Sequence, residues 1–133
     1  MRGRQWACCF TGHRPGKLPW RYDEEDPRCL ALKRRIADAV EAAYQEGFRH
    51  FLCGMALGCD LYFCECVLRL RQAHPDVTVE AAVPCPTQAD AWPPDQRRRY
   101  ARLVAACDYE TLVSQQYSPA CMQRRDRYMV DHA

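Results

Sequence analysis

Eight residues, Cys53-Gly54-Met55-Ala56-Leu57-Gly58-Cys59-Asp60, constrain the fold of this chain more than any others. Phe48 to Leu52 ahead of them reads as a short buried strand, and Leu61 to Leu70 behind them reads as a helix. The eight residues therefore form a strand-to-helix turn with two glycines and an acid. Glycine at 54 lets the chain take a positive φ, or lets a ligand approach the backbone closely. Glycine at 58 stands where the helix starts. Free backbone N–H groups and the helix dipole favour an anion at such a place. Two readings follow: a phosphate-binding loop for a nucleotide-type ligand, or an ordinary tight connection in an α/β domain.

The rest of the chain repeats the strand-then-helix pattern. Gln5 to Phe10 is a first strand feeding Thr11-Gly12-His13-Arg14-Pro15-Gly16, and Lys17 to Glu25 is an irregular loop. Asp26 as cap and Pro27 as first helical residue open a helix. Leu32, Ile36, Val40 and Ala43 give that helix its apolar stripe, broadened by Ala39, and Gly47 stops it. Val77 to Val83 is a third strand, followed by the Pro84-Cys85-Pro86-Thr87-Gln88 loop and Trp92-Pro93-Pro94. A third helix opens near Asp95 with Tyr100, Leu103, Val104 and Cys107 on one face. Glu110 to Val113 is the fourth strand, and Ser118-Pro119 caps a last helix running to about His132. This alternation predicts one α/β domain over residues 1–133 with a mostly parallel sheet. A doubly wound order of 3-2-1-4 would put strand 1 in the middle. Thr11, Cys53 and Ser114, at the ends of strands 1, 2 and 4, would then meet in one crevice.

Composition narrows the setting. The net charge of +2 offers no global field for nucleic acid or an acidic surface. No stretch reads as a membrane span, and Trp6 to Phe10 is too short for a signal-peptide core, so a cytoplasmic location is expected. The ten cysteines sit within apolar runs, and no CxxC pair or zinc-finger spacing occurs. They are expected to be free buried thiols, with no metal site.

Five motifs occur in order: Phe10-Thr11-Gly12-His13-Arg14-Pro15; Gly54-Met55-Ala56-Leu57-Gly58-Cys59-Asp60; Pro84-Cys85-Pro86 with Gln88 and Trp92; Arg99-Tyr100; and Tyr128-Met129-Val130-Asp131. Together they resemble the YpsA-like family of the SLOG superfamily of Rossmann-like proteins. The turn is also similar to the Gly-x-Ala-x-Gly-x-Asp turn of the DNA-processing protein DprA. The resemblance covers nearly the whole chain. It implies a bacterial cytoplasmic protein binding a nucleotide or nucleotide-derived ligand, with no fixed cofactor and with its activity unassigned. Relatives of this kind continue past the position of Asp131 into another strand and a Gly-Gly-Thr loop, which Ala133 precedes here. By that measure strand 4 is expected to be an exposed edge, open to self-association. Position 126 holds Asp where the resemblance implies Asn, and an acid facing the pocket would repel a phosphate.

Candidate ligand-binding residues are Thr11, Gly12, His13, Arg14, Gly54, Met55, Ala56, Gly58, Asp60, Gln88, Trp92 and Ser114. Arg14 suits bidentate phosphate recognition and His13 proton chemistry near neutral pH; the alternative is that both brace the loop against Asp60 or Asp131. Asp60 either complements the helix dipole or bonds a ribose hydroxyl or Arg14. Glu65 lies about 140° around the helix from it, so the two are not an obvious carboxylate pair. Trp92 either stacks on a base or plugs the core edge. Arg97 and Arg98 read as a solvated face, whereas Arg99 and Arg125 are candidates to turn inward, and Tyr117 and Ser118 to line the crevice. Three functions compete: a nucleotide-ligand binding module, a phosphoribohydrolase, and a DprA-like single-stranded DNA binder. The hydrolase chemistry needs a Pro-Gly-Gly-x-Gly-Thr loop and a downstream Glu that are absent. The DNA binder needs a basic, aromatic groove that a near-neutral chain supports weakly.

Overall fold

Short apolar strands separated by amphipathic helices can bury both faces of a sheet only between helical layers. The structure, a computed structural model, describes residues 7–133 and has this arrangement. Gln5 and Trp6, assigned by the sequence to the first strand, lie outside the described residues. The strands are β1 (Ala7–Phe10), β2 (His50–Cys53), β3 (Thr78–Val83) and β4 (Tyr109–Leu112). The helices are α1 (Pro27–Gln45), α2 (Cys59–Ala73), α3 (Pro94–Ala106) and α4 (Cys121–His132).

All strand pairs are parallel, and the order is β1-β2-β3-β4. The expected 3-2-1-4 order is therefore wrong: β1 is an edge, not the centre. Each crossover steps the same way across the sheet. With right-handed connections this leaves α1, α2 and α3 on one face. Phe51, Cys53, Val79, Ala81 and Val83 point to that face, where Ile36, Val40, Val67 and Leu103 meet them. Alternate residues Ala7, Leu52 and Ala82 point to the other face and pack on Met129 of α4. The three layers are three helices, the sheet, and α4, which lies over β3 and β1.

Helix boundaries follow local chemistry. Asp26 accepts from the Arg28 N–H at 2.8 Å, and Pro27 opens α1, as expected. At α4 the expected serine cap does not form. Ala120 holds the cap position, and Ser118 offers its backbone carbonyl, not its hydroxyl, to the Cys121 N–H at 3.1 Å. All ten cysteines are free. In the core, a hydrogen bond with Cys64 and burial push the Cys107 thiol up, so it stays protonated and unreactive. No helix of the described residues is long and apolar enough to cross a membrane.

Both outer strands have one unpaired edge among the described residues. β4 exposes Tyr109 and Leu112, as expected of an edge. β1 is flanked by an apolar hollow of about 390 Å³ against α1, lined by Phe10, Leu32, Ile36, Val40 and Phe63 among others.

One buried acid fastens α4 to the sheet. Glu80 lies 2.8 Å from His50 Nε2 and accepts from the Thr111 hydroxyl at 2.8 Å and from the Tyr128 hydroxyl of α4. Burial alone would raise its pKa. The bonds from His50, Tyr128 and Thr111 outweigh burial and lower it from 4.5 to about 2. A depressed carboxylate contributes stability above its unfolded pKa and loses it as pH falls through the folded one. Glu80→Gln is therefore expected to cost about 1–3 kcal/mol at neutral pH. It should also flatten the loss of stability between pH 4.5 and about 2. Urea melts across pH check this, and an unchanged acid limb in the variant refutes it.

Candidate functional site

The turn after β2 is built for closeness. Gly58 has φ 85°, and a side chain there would place its Cβ 2.7 Å from the His13 carbonyl. That carbonyl accepts from the Cys59 N–H at 3.1 Å, strapping the first loop over the start of α2. Of the two reasons for a glycine at 54, the positive φ is absent. Met55 takes the left-handed conformation instead, with φ 64°. Gly54 is glycine because side chains crowd it: a Cβ would lie 2.8 Å from Asp60 Oδ2 and 3.1 Å from the Arg125 guanidinium.

Arg125 reaches this turn from α4. Its Nη1 donates to the Gly54 carbonyl, and its Nε donates to Asp126 Oδ1 at 2.6 Å. Arg125 does turn inward, and the acid at 126 is its partner. Asp60 is 3% exposed and accepts from the Ala56 N–H at 3.3 Å through Oδ2; the Gly12 N–H also lies near the carboxyl, but Oδ1 makes no well-formed hydrogen bond. Burial lifts the Asp60 pKa from 3.8 to about 6, against the pull of Arg125.

The candidate residues divide by position. Thr11, Gly12, His13 and Arg14 are exposed on the rim, and Gly54, Met55, Ala56, Gly58 and Asp60 are buried beneath them. The side chains of His13 and Arg14 make no hydrogen bond or ion pair among the described residues, so neither is braced in that way against Asp60 or Asp131. Met55 belongs to the apolar core. Trp92 packs on the core edge and meets Tyr100 edge-on at 5.2 Å between centroids, the plugging role. Gln88 lies against the Tyr100 hydroxyl, close enough to offset part of the rise that burial gives its pKa, but neither polar atom of its buried amide makes a well-formed hydrogen bond. Ser114 follows β4. With the observed order it stands three strand spacings from the end of β1, about 14 Å. Strands 1, 2 and 4 therefore do not share one crevice, because the end of β3 lies between β2 and β4. Ser118, whose buried hydroxyl also lacks a partner, joins Ser114 there. A buried, unbonded hydroxyl has no signature in the sequence.

Glu65 faces away, as expected. It bonds Arg99 at 2.6 Å, and Arg99 also bonds Glu24 at 2.5 Å, fixing the Lys17 to Glu25 loop over α2 and α3. Among the described residues no group of three His, Cys, Asp or Glu side chains could hold a metal ion.

A parallel sheet between helical layers, with a glycine-containing turn at the carboxyl end of a strand, defines a Rossmann-like three-layer α/β domain. Residues 8–133 match the YspA SLOG family, and the chain belongs to it. It is 31% identical over 122 residues to the SPbeta prophage-derived protein YoqJ of Bacillus subtilis, covering 82% of this chain and 71% of that one. It is 26% identical over 124 residues to the UPF0398 protein YpsA of the same organism, covering 92% and 68%. A UPF0398 protein of Enterococcus faecalis is 23% identical over 125 residues, covering 92% and 69%.

The Asp60 carboxyl gives a prediction of opposite sign to Glu80. A pKa raised on folding means that stability is fully present below pH 3.8 and is lost as pH rises through about 6. Asp60→Asn is expected to remove this loss. Its melting temperature relative to wild type should rise from pH 4 to pH 7, read by thermal melts; a constant difference refutes it.

Proposed function

We propose that this protein binds a nucleotide-type ligand laid along the carboxyl ends of its strands. One observation carries this. Among the described residues, the buried side-chain atoms without partners are Asp60 Oδ1, both polar atoms of Gln88, and the hydroxyls of Ser114 and Ser118. They belong to the segments following β2, β3 and β4, at one end of the sheet. Such a group left unmet costs about 1–3 kcal/mol. By contrast the buried side chains of Glu80 and Arg125 are bonded. Asp60 suits a sugar hydroxyl, Gln88 the polar edge of a base or sugar, and the serines an anion. The exposed loop from Thr11 to Arg14 borders the Asp60 end of this row, with His13 and Arg14 free to contact the ligand. The partner is a small molecule, since the net charge of +2 gives nucleic acid no field to follow.

A second reading, hydrolysis of the glycosidic bond, is favoured by the Asp60 pKa of about 6, which suits a general acid or base. It would show as adenine released from AMP. Calorimetry with adenosine and AMP tests binding. Asp60→Asn and Gln88→Ala are expected to weaken both ligands by a similar factor, about fivefold to tenfold for each lost hydrogen bond. Affinities unchanged in both folded variants, or no binding of either ligand to wild type, refute the assignment.

A further inference from the structure

We propose that the phosphate of the ligand sits in the pocket between β4 and α4, against Ser114, Ser118 and Arg124. This rests on the nucleotide reading and specifies where its anionic end goes. The pocket has a volume of about 490 Å³ and is lined by Ser114, Gln115, Gln116, Tyr117, Ser118 and Arg124 among others. A second hollow of about 200 Å³ shares Arg124 and adds Gln123 and Arg127.

The charges and donors here are uncommitted. Arg124 and Arg127 are exposed, and their side chains make no hydrogen bond or ion pair among the described residues. The adjacent acid, Asp126, is engaged by Arg125 Nε at 2.6 Å. The first turn of α4 carries no acidic residue. The Ser114 and Ser118 hydroxyls are buried with no partner. Two hydroxyl donors beside a guanidinium fork match the acceptor-only oxygens of a phosphate. A solvated helix face would account for the two arginines, but not for hydroxyls buried unbonded next to them.

The glycine turn after β2 is a poorer seat. Its Ala56 N–H is taken by Asp60 Oδ2 and its Cys59 N–H by the His13 carbonyl. A phosphate there would also face the Asp60 carboxyl across a short distance. The Asp60 and Ser114 ends lie two strand spacings apart, about 10 Å, within the reach of one nucleotide.

Calorimetry on the full chain with AMP, adenosine and inorganic phosphate tests this, using Arg124→Ala, Ser118→Ala and, for comparison, Arg14→Ala. Circular dichroism confirms folding. Arg124→Ala is expected to weaken AMP about tenfold to a hundredfold and Ser118→Ala about fivefold, with adenosine unchanged in both. Arg14→Ala, at the sugar end, should weaken AMP and adenosine by the same factor. If Arg14→Ala abolishes AMP binding and Arg124→Ala does not alter it, the phosphate lies at the glycine turn. That outcome overturns this inference and leaves the nucleotide reading intact. If inorganic phosphate binds as tightly as AMP and both are lost in Arg124→Ala, the anion seat stands and the nucleotide reading falls. No binding of any probe to wild type overturns both.

Discussion

The hydrogen bond from the buried Arg125 guanidinium to the Gly54 carbonyl is the contact on which the ligand end of the sheet depends. It joins the only helix on its face of the described sheet to the turn that follows β2. Arg125 is 5% exposed, so its charge has little solvent to lean on. Asp126 bonds it directly, and the Asp60 carboxyl adds attraction without a close pair. Breaking such a group from its partners leaves an uncompensated buried charge, which is far costlier than the net worth of the contact. Gly54 has no side chain because Arg125 and Asp60 occupy that space. The glycine, the arginine and the acid are one unit contributed by a turn and two helices.

The same end of the sheet divides into a satisfied half and an unsatisfied half. Under the first loop, backbone donors meet the chain's own oxygens, Asp60 Oδ1 excepted, and Met55 is held left-handed within the core. Beyond β3 and β4, amide and hydroxyl atoms are buried without partners. On the opposite end of the α4 face, His50, Thr78, Glu80, Thr111 and Tyr128 bond one another in a chain. Polar groups in this domain are thus bonded where they hold layers together and open where the strands end.

Element positions were legible in the sequence because their signals are local. Asp26-Pro27 marked the start of α1, Gly47 its end, and the stripe of Ile36 and Val40 its buried face. Arg99 and Arg125, the two arginines set apart in their clusters as candidates to turn inward, both do. Strand order was not legible. Every βαβ unit looks alike in sequence, and whether a crossover steps left or right depends on which sheet edge is free. The role of Gly54 was also hidden, since the residue that crowds it, Arg125, lies 71 positions further on. Trp92 reads as platform or plug until Tyr100 is seen beside it.

The solitary placement of α4 has a directional consequence. Right-handed crossovers along one face carry the chain from β1 towards β4; a right-handed crossover along the other face must carry it back. A strand joined to the far end of α4 would find the places at β3, β2 and β1 taken, and the first vacancy lies against the open side of β1. There the hollow lined by Phe10, Leu32, Ile36 and Val40 would receive its apolar side chains. Such a strand would turn a singly wound sheet into a doubly wound one. The direction of winding would then reverse at the end of β1, next to Thr11, His13 and Arg14.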